Sequence, residues 1–177
     1  VHRRQGHGAA LLSQLVAAGE TRFWAHGDLP AAVSLAAATG LVPERVLLQL
    51  VSTNPVVGDT SVAEGLSIRP FAQSDAADLV ALNARAFASH PEQGQMVGFH
   101  WTKVEGQVGE VYVVGVDPSA HGAGIGTSLT AAGLRHLWGR GVSEVNLYVE
   151  GDNEAALKVY RRLGFGEKAR DVLYVVQ

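Results

Sequence analysis

The chain has 177 residues, 47% hydrophobic and 18% charged, which is ordinary globular composition and excludes a disordered chain. A formal net charge of −3 gives no sequence-independent attraction to nucleic acid or an anionic membrane, so a small molecule is the expected partner. The absence of cysteine excludes disulfides, thiolate metal sites and a cysteinyl acyl-enzyme, and the seven histidines lack the paired helical spacing of metal ligands, so no metal is predicted. No apolar run reaches the roughly 18 residues of a membrane span and no signal peptide is read, which predicts a cytoplasmic protein; a monomer is expected.

In chain order, the pattern predicts a helix over 8–19, a strand over 21–26, a helix from Pro30 to about 39 and a strand over 46–51. Residues 53–65 are rich in turn formers and read as a linker. A strand over 66–69 follows, then a helix capped by Ser74 and Asp75 whose apolar face includes Leu79, Leu82 and Phe87. The stretches 97–104 and 110–116 are β-branched and aromatic, with a turn near Gly106 and Gln107, and predict an antiparallel hairpin. A helix over 124–138, a strand over 145–149, a helix over 153–163 and a strand over 171–176 complete the chain. The order is α/β, with a mixed sheet and strand-helix-strand crossovers beside the hairpin.

One stretch occurs twice. His121-Gly122-Ala123-Gly124-Ile125-Gly126-Thr127, then Glu150-Gly151-Asp152, then Leu163-Gly164-Phe165, is echoed by Arg4-Gln5-Gly6-His7-Gly8, His26-Gly27-Asp28 and Thr39-Gly40-Leu41. The interval from Gly27 to Gly40 equals that from Gly151 to Gly164, which predicts a duplication: an N-terminal domain over 1–52, the linker, and a C-terminal domain over 66–177. Tyr160 falls opposite Ala36, so only the second copy is expected to be catalytic. The first copy opens in mid-motif, and the spacing around residues 2–3 and 96–97 is shorter than a complete pair of copies requires; missing segments are expected at those points.

A strand that runs through glycines into a helix presents a row of free amides at the helix N-terminus, suited to phosphate oxygens. The bland alternative is a tight strand-to-helix turn. A Walker loop is excluded because no Gly-Lys-Ser/Thr follows, and a dinucleotide fingerprint because no acidic strand end lies at the required distance. The strand 111–116, the loop 121–126 and the segment Asn153-Glu154-Ala155-Ala156 through Tyr160 to Phe165 together resemble the GNAT superfamily of N-acetyltransferases. Four further words in order resemble the mycothiol synthase family of tandem GNAT acetyltransferases: Phe23-Trp24-Ala25-His26-Gly27, His90-Pro91-Glu92-Gln93-Gly94, Gly98-Phe99-His100-Trp101-Thr102-Lys103-Val104 and Gly109-Glu110-Val111-Tyr112-Val113.

That resemblance implies a tandem GNAT fold with an incomplete N-terminal copy and a sheet splayed open beside the strand 110–116. It also implies acetyl-CoA as cosubstrate and the cysteinyl amine of cysteinyl-glucosaminyl-inositol as acceptor. Main-chain groups of Val114, Gly115 and Val116 would hold the pantetheine arm, the Val114 amide would polarise the acetyl carbonyl, and His121, Gly122, Ala123, Gly124, Ile125, Gly126 and Thr127 would hold the pyrophosphate. Asn153, Glu154, Ala155, Ala156, Leu157 and Lys158 would flank the coenzyme, and Arg4, Gln5, Gly6, His7 and Gly8 could hold a second one. Glu110 is the implied base and Tyr160 the implied acid; Glu92, Lys103, Glu110 and Tyr148 match substrate positions. Composition alone would leave Glu110 a solvated glutamate, Tyr160 a core aromatic and Lys103 a surface charge. An acetyltransferase for another amine, or a non-catalytic acyl-CoA-binding module, remains compatible with the same residues.

Overall fold

Two helices begin at glycines and a third at a proline, and the strands carry the β-branched runs. The computed structural model describes residues 6–55, 61, 62, 64–85 and 96–177. Its elements are α1 (His7–Ala17), β1 (Arg22–His26), α2 (Pro30–Ala38), β2 (Leu41–Ser52), α3 (Ala76–Arg85), β3 (Gly98–Glu105), β4 (Val108–Val116), α4 (Ile125–Gly139), β5 (Glu144–Glu150), α5 (Glu154–Arg162) and β6 (Gly166–Val176). Helix, strand, helix and strand recur in that order at 7–52 and 125–176. Gly6 precedes α1 with φ 79 and ψ −4, and Gly124 precedes α4 with φ 77 and ψ 0, a left-handed corner that a side chain would strain.

The chain divides into two compact units: Val1–Gln49, Val149–Glu154 and Glu167–Gln177 in one, Leu50–Tyr148 and Ala155–Gly166 in the other. This division differs from the boundary read at residue 52, because the last strand joins the first unit. There β6 pairs antiparallel with β1, from Arg22 opposite Val175 to His26 opposite Asp171, in the order β1-β6-β2. Leu12, Ala36, Leu41, Val172 and Tyr174 form its buried core. Polar ties fix the pairing at one end: the Tyr174 hydroxyl donates to Asp28 at 2.9 Å, and the Gly27 amide donates to Asp171 at 2.9 Å. Arg45 forks onto Glu150 while its guanidinium lies 5.8 Å from the Trp24 ring centre.

The second unit orders its strands β5-β4-β3. The β3/β4 hairpin turns at Gly106, whose φ is 58, and β4 runs parallel to β5 after the crossover through α4. Leu134, Leu137, Val145 and Leu147 are at most 1% exposed, and α4 packs over β3 and β4. His100 settles how closely. Its Nδ1 lies 2.8 Å from the Leu129 carbonyl, an acceptor, so Nδ1 carries the proton. Its Nε2 is buried with no partner among the described residues, and burial lowers its pKa, so the ring is neutral. A Cβ at Gly133 would overlap that ring.

Residues 66–69 are not a strand: Pro70 follows them without an amide to donate, and Arg69 turns instead to Asp75, at 2.6 and 2.8 Å. The cap of α3 also differs in detail from the expected one. A 3-10 turn over Gln73–Asp75 precedes the helix, and Asp75 accepts from the Ala72 amide at 2.8 Å. Phe87 lies outside the described residues, as do residues 2 and 3. Among the described residues no helix is long and apolar enough to cross a membrane.

Two stability tests follow from these contacts. Gly133→Ala forces the His100 ring or α4 to move and is expected to cost about 1–3 kcal/mol, read by urea denaturation, with part recovered in the Gly133→Ala/His100→Ala pair. The Arg69 guanidinium and the Ala72 amide hold the Asp75 carboxyl down at about 2. The stabilisation this carries is complete above roughly pH 4, where the unfolded carboxyl is ionised too, and is lost as pH falls through about 2. Asp75→Asn should lower the melting temperature at pH 7 and flatten its decline over that acid window.

Candidate active site

Alternation along the strands sorts the second unit into a covered face and an open one. Gly109, Val111, Val145 and Leu147 are buried on the covered face, leaving Glu110 and Tyr112 of β4 beside Asn146 and Tyr148 of β5 on the other. Glu110 stands opposite Lys103 on β3 and opposite Asn146 on β5. Tyr112 meets the edge of Trp101 at 5.7 Å between ring centres, and the Lys103 ammonium sits over the Tyr112 ring. Lys103, Val104, Glu105, Val108, Glu110 and Asn146 line an open cleft of about 560 Å³. A carboxylate, an ammonium and aromatic rings are therefore gathered on one exposed surface.

The two parallel strands part company beside this cleft. Their register runs from Val108 opposite Glu144 to Val111 opposite Leu147, whereas β4 continues to Val116 and β5 to Glu150. At that point the β3/β4 register slips between Trp101 and Thr102, so that Tyr112 is an extra residue. Such a bulge bends and twists the strand that carries it. Val114, Gly115 and Val116 lie on this diverging stretch, paired on the β3 side with His100, Phe99 and Gly98. A Cβ at Gly115 would overlap the Phe99 ring, so a side chain there would push the hairpin apart.

Beyond Val116 the chain passes the 3-10 turn Pro118–Ala120, braced by Asp117 accepting from the Ser119 amide at 3.0 Å, and enters the glycine loop. His121 Nε2 lies 3.2 Å from the Val116 carbonyl, which ties the loop back to the strand. Gly122 and Gly124 have φ of 86 and 77, and a Cβ on either would meet nothing within 4 Å. The first bond of α4 runs from the Ser128 amide to the Gly124 carbonyl, leaving the amides of Ile125, Gly126 and Thr127 without intrahelical acceptors. Three donors and the positive end of a helix dipole thus face an open corner, an arrangement that fits a pyrophosphate.

Tyr160 is half buried on α5, edge-on to Phe165 at 5.9 Å between ring centres, and burial raises its pKa, so the phenol is protonated at neutral pH. Ala155, Ala156, Leu157 and Lys158 form the first turns of the same helix, with Leu157 buried. Asn153 and Glu154 belong to the first unit and stand at the start of α5. In the first unit Gly6 forms the corner before α1, with His7 and Gly8 in its first turn, and Ala36 is a buried core residue. Arg4, Gln5 and Glu92 lie outside the described residues. Sequence reasoning missed Asn146, Trp101 and Tyr112. The signal for Asn146 was present, since one amide interrupts the apolar run Val145-Asn146-Leu147 on the phase that also carries Tyr148.

The acetyltransferase (GNAT) family model matches residues 60–165. A mycothiol acetyltransferase of Gordonia bronchialis is 46% identical over 213 residues, covering 97% of this chain and 69% of that protein. Another, from Clavibacter michiganensis subsp. michiganensis, is 46% identical over 208 residues, covering 97% and 68%. Both matched spans exceed the 177 residues here, so each relative has internal residues without a counterpart in this chain. In fold, a GCN5-related N-acetyltransferase from Sphaerobacter thermophilus superposes with a TM-score of 0.78 at 22% identity, over 98% of this chain and 70% of that one. A tandem GNAT protein from the clavulanic acid biosynthesis pathway superposes with a TM-score of 0.65 at 20% identity, over 98% and 70%.

Proposed function

This chain belongs to the acetyltransferase (GNAT) family and, within it, to the mycothiol acetyltransferases, and we propose that it acetylates the cysteinyl amine of cysteinyl-glucosaminyl-inositol to form mycothiol. The observation that carries this reading is the fork after Val111 and Leu147, with Glu110 and Lys103 on the open face beside it. Acetyl-CoA supplies an activated acetyl group as a thioester. Ile125, Gly126 and Thr127 would hold its pyrophosphate, together with the loop from His121 to Gly124. The parted stretch from Val114 to Val116 would hold the pantetheine arm, and residues 153–158 would flank the coenzyme.

Three groups divide the chemistry. Glu110 takes a proton from the acceptor's ammonium, freeing the lone pair that attacks the acetyl carbon. The Val114 amide donates to the carbonyl oxygen as negative charge gathers there. Tyr160, kept protonated by its burial, gives a proton to the departing sulfur as the carbon–sulfur bond breaks, and the second proton lost by the nitrogen restores the phenol. With no cysteine in the chain, attack is direct, in a complex that holds both substrates. Lys103, Tyr148 and Glu92 are assigned to the acceptor's sugar and inositol hydroxyls.

Residues 1–52 are proposed as an incomplete, non-catalytic copy, joined through 53–65 to the catalytic copy over 66–177. Support comes from the recurring element order, the matched corners at Gly6 and Gly124, and the replacement of Tyr160 by Ala36. Arg4 to Gly8 are proposed to bind a second acetyl-CoA without turnover.

Release of free coenzyme A tests the reading, with the cysteinyl pseudodisaccharide set against a panel of other amines. The pseudodisaccharide is expected to give the highest kcat/KM; turnover indifferent to the amine would overturn the assignment. Glu110→Gln and Tyr160→Phe should each lower kcat by roughly 10²–10⁴-fold with acetyl-CoA affinity kept. A binding module would lose nothing in either variant.

A further inference from the structure

We infer that Asn146 is a substrate-binding residue of the acetyl-transfer reaction: its carboxamide oxygen accepts a hydrogen bond from the acceptor's ammonium and aims that nitrogen between Glu110 and the parting strands. The inference builds on the acetyl-transfer reading above. Asn146 Oδ1 is buried, with no hydrogen-bond partner among the described residues. A buried acceptor left unpaired is costly, so a ligand that brings a donor recovers that cost. Its neighbours make the donor's chemistry specific. Asn146 stands opposite Glu110 in the β4/β5 register, both line the same cleft, and the register ends one pair later at Val111 and Leu147.

Two acceptors side by side, one charged and one neutral, suit a group with several N–H donors and a positive charge. A primary ammonium meets both conditions and a hydroxyl meets neither. The neutrality of the amide also serves the reaction. A second carboxylate at residue 146 would hold the ammonium more strongly in its charged form, so that higher pH is needed to free its lone pair. An amide oxygen orients the nitrogen while leaving its proton removable.

The test compares wild type with Asn146→Leu and Asn146→Asp, each checked for an unchanged melting profile and acetyl-CoA affinity. In Asn146→Leu, kcat/KM for the amine should fall about 10- to 100-fold, mainly through KM. Affinity for the des-amino analogue of the acceptor, which has no ammonium, should match wild type. In Asn146→Asp, the acid limb of the kcat/KM profile should move to higher pH by roughly one unit. An unchanged KM in Asn146→Leu, equal loss of affinity for the des-amino analogue, or an unmoved acid limb in Asn146→Asp would overturn the inference. Should Asn146→Leu fail to fold, Asn146→Asp and Asn146→Ser decide by the same measurements. If wild type prefers another amine, the comparison runs on that amine: the mycothiol assignment then fails while the role of Asn146 is still decided. A wild-type chain that acetylates no amine overturns both.

Discussion

The parallel ladder between β4 and β5 stops while both strands still have residues to pair. Parallel neighbours normally stay zipped, because each unpaired amide and carbonyl inside a sheet carries a desolvation cost. Here β3 holds β4 along its full length, and the extra residue at Tyr112 turns β4 away just past the last shared pair. The unpaired backbone is thereby placed beside the open face that carries Glu110, Lys103 and Asn146. The same bend aims β4 at Val116, from which the chain enters the 3-10 turn and the glycine corner. Cleft, free strand and amide row all depend on that one early parting.

Close packing behind the sheet keeps this geometry in place. Glycines at 98, 109 and 133 let α4 approach the hairpin nearer than any side chain would allow, and Leu129, Leu137 and His100 occupy the space they leave. The amides at the head of α4 are therefore fixed relative to β4 by apolar contact rather than by the loop alone. A neutral, singly bonded imidazole inside such a layer is tolerated because its Nδ1 proton is satisfied by the Leu129 carbonyl. The buried Nε2 and the buried indole nitrogen of Trp138 remain without partners among the described residues.

Much of the local structure was legible in the residues. Proline at the start of α2, glycines at the helix corners and β-branched runs in the hairpin mark elements whose bounds differ from the reading by a residue or two. The ends of β2 and β6 were read short, because Glu44 and Arg45 in one and Glu167, Lys168 and Arg170 in the other break the apolar signal while facing outward. Residues 66–69 looked like a strand because four residues suffice for a β pattern, and nothing local says whether an edge awaits them. Glu110 and Lys103 were singled out through the resemblance. Asn146 was not, since its meaning comes from a cross-strand neighbour. The slip at Tyr112 is equally silent: Glu110-Val111-Tyr112-Val113 alternates without a break, and only pairing to a second strand makes one residue surplus. The pairing of β6 with β1 is silent for the same reason, since it joins residues nearly a whole chain apart.

That last pairing has a consequence for how the molecule comes to exist. A ribosome delivers α1, β1, α2 and β2 well before β6, and the core they share with Val172 and Tyr174 cannot close until β6 has been translated. That segment is therefore completed only once β6 has emerged, and until then the flank of β1 stays bare. Exposed strand flanks are where chains join wrongly to one another. The exposure of that flank is thus set by the order of the strands and not by any single residue.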